Sequence, residues 1–241
     1  MTGDRFQTDS LAGLRFFATP PRPCSYLPGR QSVSVFADPG ARLSQPQYDS
    51  LATLGFRRSG GDLYRPACAG CNACVPVRVE VPYRRSRNQQ RVWRRNRDLV
   101  CRELPPAYRD EHYALYMRYQ RHRHPGGGMD ETTPEQYLDF LTSDWSRTRF
   151  LEFRAAGRLL GVAVTDYLAD ALSSVYTFFD PDQAARSPGT FSILYQLDLA
   201  QRLGLDWLYL GYWIADCRKM AYKVRFRPLQ GLRDGRWSRL A

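Results

Sequence analysis

Three β-rich runs, at residues 150–153, 159–165 and 172–179, are separated only by tight turns at Ala156-Gly157 and Leu168-Ala169-Asp170. Connections that short join antiparallel neighbours. The next segment, 190–203, has a helical pattern and leads into an apolar strand at 207–210. A strand that returns through a helix lies parallel to the strand it left. This half of the chain is therefore committed to a sheet made of a meander plus one crossover. At 241 residues, 43% of them hydrophobic and 13% aromatic, the chain is long and apolar enough for a real core and is neither disordered nor collagen-like. Charged residues or proline interrupt every apolar run before the roughly 18 residues of a membrane helix. The first 24 residues carry Asp4 and Asp9 and lack a long apolar core, so no secretory signal and a cytoplasmic location are expected.

The preceding half is more punctuated. A strand is expected over 31–37, and a helix from the N-cap Ser44 to Leu54, stopped by Gly55. A hairpin turning at Gly60-Gly61 follows. Val75, Val77, Val79 and Val81 alternate, which puts Arg78 and Glu80 on the opposite face. Ser86 and Gln89 form a capping-box pattern opening a helix to about Asp98. Further helices are expected over 105–123, with Tyr113, Tyr116 and Tyr119 at packing positions, and over 134–142. Pro105-Pro106 suggests a boundary, dividing the chain into 1–104 and 105–241.

The order meander, crossover helix, strand resembles the GNAT acyltransferase fold. The expected class is thus mixed α/β (α+β), a GNAT-like core behind an N-terminal, cysteine-containing αβ region. Between the third strand and its helix, Arg186-Ser187-Pro188-Gly189-Thr190 partly matches that fold's phosphate loop. Phe191 stands where its last small residue belongs. Backbone N–H groups at a helix start attract anions, so Arg186, Gly189 and Thr190 are candidates for binding phosphate, such as that of a nucleic acid, with a plain glycine turn as the alternative.

Cys68, Cys71 and Cys74 lie at C-x2-C-x2-C spacing between Pro66 and Pro76, and Cys24 is a remote fourth thiol. The set suits zinc or an iron–sulfur cluster, or is simply reduced thiols; Cys101, in a strand, and Cys217, in a helix, are expected as small buried hydrophobes. Between Tyr83 and Arg97 stand seven arginines and no acid. Arg87, Arg91 and Arg94 share one helical face by i, i+4, i+7 spacing. A solvated face mixes signs, so Arg84, Arg87, Arg91 and Arg94 read as a nucleic-acid phosphate surface. The chain carries 35 basic against 24 acidic side chains, and all the basic ones except Lys219 and Lys223 are arginine, a skew that genomic composition alone can produce. Its location is the informative part. Only His112, His122 and His124 are present, with no G-x-S-x-G, Walker or H-E-x-x-H motif. Hydrolysis by a serine or cysteine nucleophile is disfavoured against a reaction in which two reactants are positioned.

Taken together, Cys24–Ser32, Gly55–Gly60, Tyr64–Arg78 and Ser86–Arg91 resemble the N-terminal region of the aminoacyl-tRNA–protein transferases (R-transferases). Arg123–Met129, Gly211–Ile214 and Met220–Lys223 are similar to their C-terminal region. The compact length resembles the bacterial aspartate/glutamate leucyltransferase branch. Leu229-Gln230 departs from the pattern, which has an acid after the Phe226-Arg-Pro228 stretch. The resemblance implies transfer of leucine from leucyl-tRNA to the α-amine of proteins beginning with Asp or Glu, creating an N-degron, with no cofactor needed for transfer. Tyr176, Tyr212 or Lys223 would then orient the ester or relay a proton. Arg78 would meet the acidic acceptor, or else pair with Glu80, and His124 would serve the acceptor from a mobile lid in the Gly-rich loop, or else be a solvated loop histidine. Two rivals remain: a GNAT N-acetyltransferase using acetyl-CoA, and a non-catalytic RNA-binding or metal-sensing module.

Overall fold

The computed structural model describes residues 11–123 and 131–240, so His124 and most of the Gly-rich loop lie outside the described residues. The first region is a four-stranded antiparallel sheet of β1 (Phe16–Ala18), β4 (Ser34–Ala37), β6 (Asp62–Pro66) and β5 (Arg57–Ser59), in that order, with a small ladder of β2 (Arg22–Pro23) and β3 (Gln31–Ser32) at its side. Helix α1 (Gln45–Thr53) begins where the sequence asks it to. Ser44 Oγ accepts from the Gln47 N–H while the Gln47 side chain accepts from the Ser44 N–H, satisfying two groups that a helix start leaves open. Gly55, at φ +84°, ends the turn.

The second layer is an eight-stranded mixed sheet. Its meander is β9 (Thr148–Ala155), β10 (Arg158–Tyr167) and β11 (Ala171–Phe179); helix α5 (Pro188–Arg202) then crosses to β12 (Trp207–Trp213), parallel to β11. β8 (Val100–Leu104) flanks β9 at one edge, and β13 (Leu229–Arg233) and β14 (Arg236–Arg239) close the other. The alternating valines form β7 (Val75–Glu80), which lies between β12 and β13. Both β7 and β8 precede Pro105, so this sheet takes strands from both sides of that point. Val75, Val77 and Val79 are buried against Leu194 and Leu197 of α5, each contributing about 1.5–3 kcal/mol of burial.

Helix α2 (Arg87–Arg95) lies on the α5 side, with Trp93 against Phe191. Helices α3 (Asp110–Arg123) and α4 (Pro134–Leu141) cover the other face, where Tyr116, Tyr137, Phe150 and Phe178 interlock. Helix α3 starts at Asp110, later than the expected 105, because Asp110 and Glu111 supply the acidic first turn that suits a helix dipole. Cys101 is half-buried in β8; Cys217, expected in a helix, is buried in a turn before the short 3-10 helix at Ala221–Arg225.

One buried ion pair joins the two sheets. Arg58 and Asp166 are both fully inaccessible. The guanidinium donates to both carboxylate oxygens at 2.6 and 2.8 Å, and to the carbonyls of Gly60 and Leu141. Asp166 also accepts from Tyr48 of α1 and Thr148 of β9. Removing one partner strands a buried charge. Arg58→Met is therefore expected to lower unfolding free energy by about 3–5 kcal/mol, measured by urea denaturation; a loss below about 1 kcal/mol would show that the pair is not structural.

Candidate active site

Strands β11 and β12 pair only from Ala171↔Trp207 to Ser173↔Tyr209, although both run on. The next partners are displaced. β11 carries a register shift against β10 opposite Val164/Thr165, and β12 one against β7 between Tyr209 and Gly211. The parallel ladder therefore opens into a gap between 174–179 and 211–213. A gap of this kind exposes strand backbone to a ligand.

Three residues expected to carry chemistry stand around it. Lys223, 3% exposed, donates from Nζ to the Tyr212 carbonyl and lies 3.6 Å from Met220 Sδ. Burial, then the neighbouring Arg57 charge, pulls its ammonium well below the usual lysine range. Tyr212 Oη bonds the carbonyls of Gly55 and Tyr64, both at 3.0 Å, fastening the N-terminal sheet to β12. Tyr176 Oη accepts from Gln120 Nε2 at 3.0 Å. Burial raises both phenols, so they stay protonated at neutral pH and act only as donors or neutral acceptors.

The other side of Tyr212 lines a cleft of about 710 Å³, with Tyr26, Arg30, Tyr64, Cys71 and Cys74 on its walls. Cys24, Cys71 and Cys74 pack with Cys217 around Leu27 and Ile214. Burial pushes the Cys74 thiol up to about 11. The Ala73 N–H, with Arg30 Nη1 at 3.2 Å, lowers that of Cys71. Cys68 Sγ faces the Val33 N–H at 3.4 Å. Among the described residues no group of three or more His, Cys, Asp or Glu is placed to hold a metal ion. The zinc or iron–sulfur expectation for Cys24, Cys68, Cys71 and Cys74 thus finds no support, although all four line the same cleft.

Arg78 lies at the paired end of β12, away from the gap. Its guanidinium stacks on Trp207 at 3.6 Å and Trp237 at 4.4 Å, and bonds Gln230 at 3.0 Å and Tyr209. Glu80 pairs with Arg239 instead. Arg186 forms two bonds to Asp98, at 2.8 and 2.9 Å. A Cβ on Gly189 would meet the Phe179 ring at 3.4 Å, and Thr190 is half-buried. His112 is buried and bonded to Glu152. On α2, Ser86 and Gln89 form the expected capping box, and Arg85 pairs with Asp198 over Trp93. Arg84, Arg87, Arg91 and Arg94 are exposed, and among the described residues no acidic side chain pairs with them. Unneutralised, that face is open to an external polyanion.

Arg57 has no role on sequence grounds alone, although it lies within the Gly55–Gly60 stretch. Its Nη2 donates to the Val175 carbonyl at 3.1 Å and to that of Ser174 at 3.4 Å, across the gap. A Cβ on Gly211 would sit 1.7 Å from Arg57 Nη1, so only glycine admits the guanidinium there. The one signal for it in the amino-acid order is strand alternation, which sends Arg57 and Arg58 to opposite faces.

The family described as arginine-tRNA-protein transferase matches twice, its N terminus over residues 22–92 and its C terminus over residues 111–233. The chain is 52% identical over 229 residues to the aspartate/glutamate leucyltransferase of Chromohalobacter salexigens, covering 94% of this chain and 93% of that one. It is 48% identical over 233 residues to the aspartate/glutamate leucyltransferase of Marinobacter nauticus, covering 96% and 98%. Among solved structures, L-PGS from Bacillus licheniformis overlays at a TM-score of 0.47 with 10% identity, covering 86% of this chain and 70% of that one.

The buried Lys223 amine has a pH signature. Its folded pKa lies below the unfolded value of about 10.4, so the unfolded state holds more protons between the two. The burial cost is therefore present at neutral pH and disappears as pH rises past 10. Lys223→Met is expected to gain stability relative to the parent at pH 7 and to lose that advantage by pH 10. The bond to Tyr212 that the variant lacks does not titrate, so a pH-independent difference in urea midpoints would contradict a Lys223 ammonium made less basic by burial.

Proposed function

The chain belongs to the arginine-tRNA-protein transferase family, and on that premise we propose that it transfers leucine from leucyl-tRNA to the α-amino group of proteins beginning with Asp or Glu. The observation that carries the choice of leucine and of an acidic acceptor is the near-full-length identity to relatives with that name. The new N-terminal leucine marks the acceptor for N-degron proteolysis, and charged tRNA places the reaction in the cytoplasm.

The chemistry asks little beyond positioning. An aminoacyl ester is already activated; the acceptor nitrogen bonds to the leucyl carbonyl carbon, and the ester C–O bond to the tRNA ribose breaks. The nitrogen sheds a proton and the departing ribose oxygen takes one, so no redox partner or covalent enzyme intermediate is needed. An α-amine with a pKa near 7.7–8.0 is roughly one-tenth neutral at pH 7. Holding it against the ester supplies much of the rate. We assign the ester to the β11–β12 gap. Tyr176 keeps its own hydroxyl proton for the developing oxyanion. Lys223, a buried amine of lowered basicity, is suited to passing the proton. Tyr212 acts through the Gly55 and Tyr64 carbonyls and so positions β12 rather than reacting. The exposed face of α2 takes the tRNA phosphates. The acetyl-CoA rival loses its phosphate-binding arginine, since Asp98 already occupies Arg186.

With labelled leucyl-tRNA, transfer is expected to peptides beginning with Asp or Glu and not to those beginning with Lys or Ala; absence of transfer to the acidic peptides would reject this function. Replacing Arg87, Arg91 and Arg94 together by Ala is expected to weaken tRNA binding and to reduce the log–log salt slope by about 0.7–0.9 for each phosphate that is no longer neutralised. An unchanged slope would return this face to plain solvation.

A further inference from the structure

We infer that Arg57 is the specificity residue that reads the acidic side chain of the acceptor, an assignment that rests on the leucyl-transfer reading and names the part of the site that selects Asp and Glu. Four observations converge on it. First, Arg57 reaches the gap because its neighbour does not. Arg58 turns inward to Asp166, and β5 alternation sends Arg57 across to the carbonyls of Ser174 and Val175.

Second, its charge is not cancelled. Arg58, Arg85, Arg118, Arg154, Arg158, Arg186 and Arg239 each pair with a carboxylate. Among the described residues Arg57 has only the two backbone carbonyls, both through Nη2. Carbonyls satisfy N–H groups without neutralising a guanidinium, and a planar fork has edges left over for a carboxylate.

Third, among the described residues no carboxylate pairs with Arg57, and other basic groups lie near it. The groups that feel Arg57 are Tyr26, Tyr212, Tyr222 and Lys223. Arg123, at the end of α3, acts on Tyr222 as well. A partly dehydrated cation beside a buried lysine is stabilised by an incoming anion.

Fourth, the backbone makes room for this one side chain. Gly211, at φ +71°, leaves the face of β12 bare where the guanidinium lies. A carboxylate held there lies at the mouth of the gap assigned to the ester. The α-amine of the same residue is then only one side-chain length from the leucyl carbonyl. Asp and Glu differ by a single methylene, which a fork approached from its edge accommodates, whereas Asn and Gln bring no charge.

The alternative is a clamp that merely ties β5 to β11. The two are separated by the ratio of kcat/KM for otherwise identical peptides starting with Asp and with Asn, with leucyl-tRNA as donor. The ratio is internal to each protein and cancels a general loss of folded enzyme. For Arg57→Gln it is expected to fall about tenfold or more, with the KM for leucyl-tRNA unchanged. For Arg57→Lys, which keeps charge and loses the fork, an intermediate ratio is expected. Unchanged ratios in both variants, with the two peptides declining together, would overturn the assignment and leave the clamp. No transfer to the Asp peptide by the unmodified protein would overturn the leucyl-transfer reading, and this assignment with it, before Arg57 is altered.

Discussion

The Arg58–Asp166 pair is the constraint from which the rest of the architecture hangs. Its hydrogen bonds reach α1 through Tyr48, the end of α4 through the Leu141 carbonyl, and β9 through Thr148. An N-terminal hairpin and a C-terminal meander, over a hundred residues apart, are thereby held in one relative position. Full burial makes any other arrangement expensive, because a guanidinium withdrawn from water needs every donor met. Here Arg58 reaches five acceptors, with Nε, Nη1 and Nη2 all engaged. The same pair fixes the orientation of β5, and so decides where the next side chain points.

From that fixed strand the site follows by short steps. Arg57 falls on the opposite face and meets two bulged strands that have just stopped pairing. Gly211 accepts the guanidinium, and Tyr212 ties β12 back to the N-terminal sheet by bonding the Gly55 and Tyr64 carbonyls. Lys223 closes the far side. The N-terminal sheet is thus part of the β11–β12 gap and not an appendage to it. That both matched segments of the family, 22–92 and 111–233, contribute residues to one gap is consistent with this construction.

Much of this is legible in the amino-acid order, and what is not has physical causes. Local signals read well: the capping boxes at Ser44 and Ser86, the valine alternation of β7, and the meander with its crossover. Tyr212 and Lys223, both candidates on sequence, do stand together. Long-range pairing is not readable. No local pattern says that β7 inserts between β12 and β13, or that Asp98 claims Arg186 from a distant loop. Arg57 is hidden by company, one arginine in a chain whose basic residues are nearly all arginine. The cysteine spacing suggests a metal because spacing reports proximity along the chain, whereas a metal needs three or more ligands in one coordination geometry, which no group among the described residues provides.

The proposed place of reaction for the leucyl ester is the gap between β11 and β12. The most direct test is the structure of the protein bound to a non-hydrolysable leucyl-tRNA 3′-end analogue, in which an amide replaces the ester. The leucyl carbonyl is expected between the Ser174–Tyr176 stretch and Gly211–Trp213, within hydrogen-bond reach of Tyr176 Oη. Density for the leucyl group on the Arg78–Trp207–Trp237 stack, or anywhere else outside the gap, would contradict it.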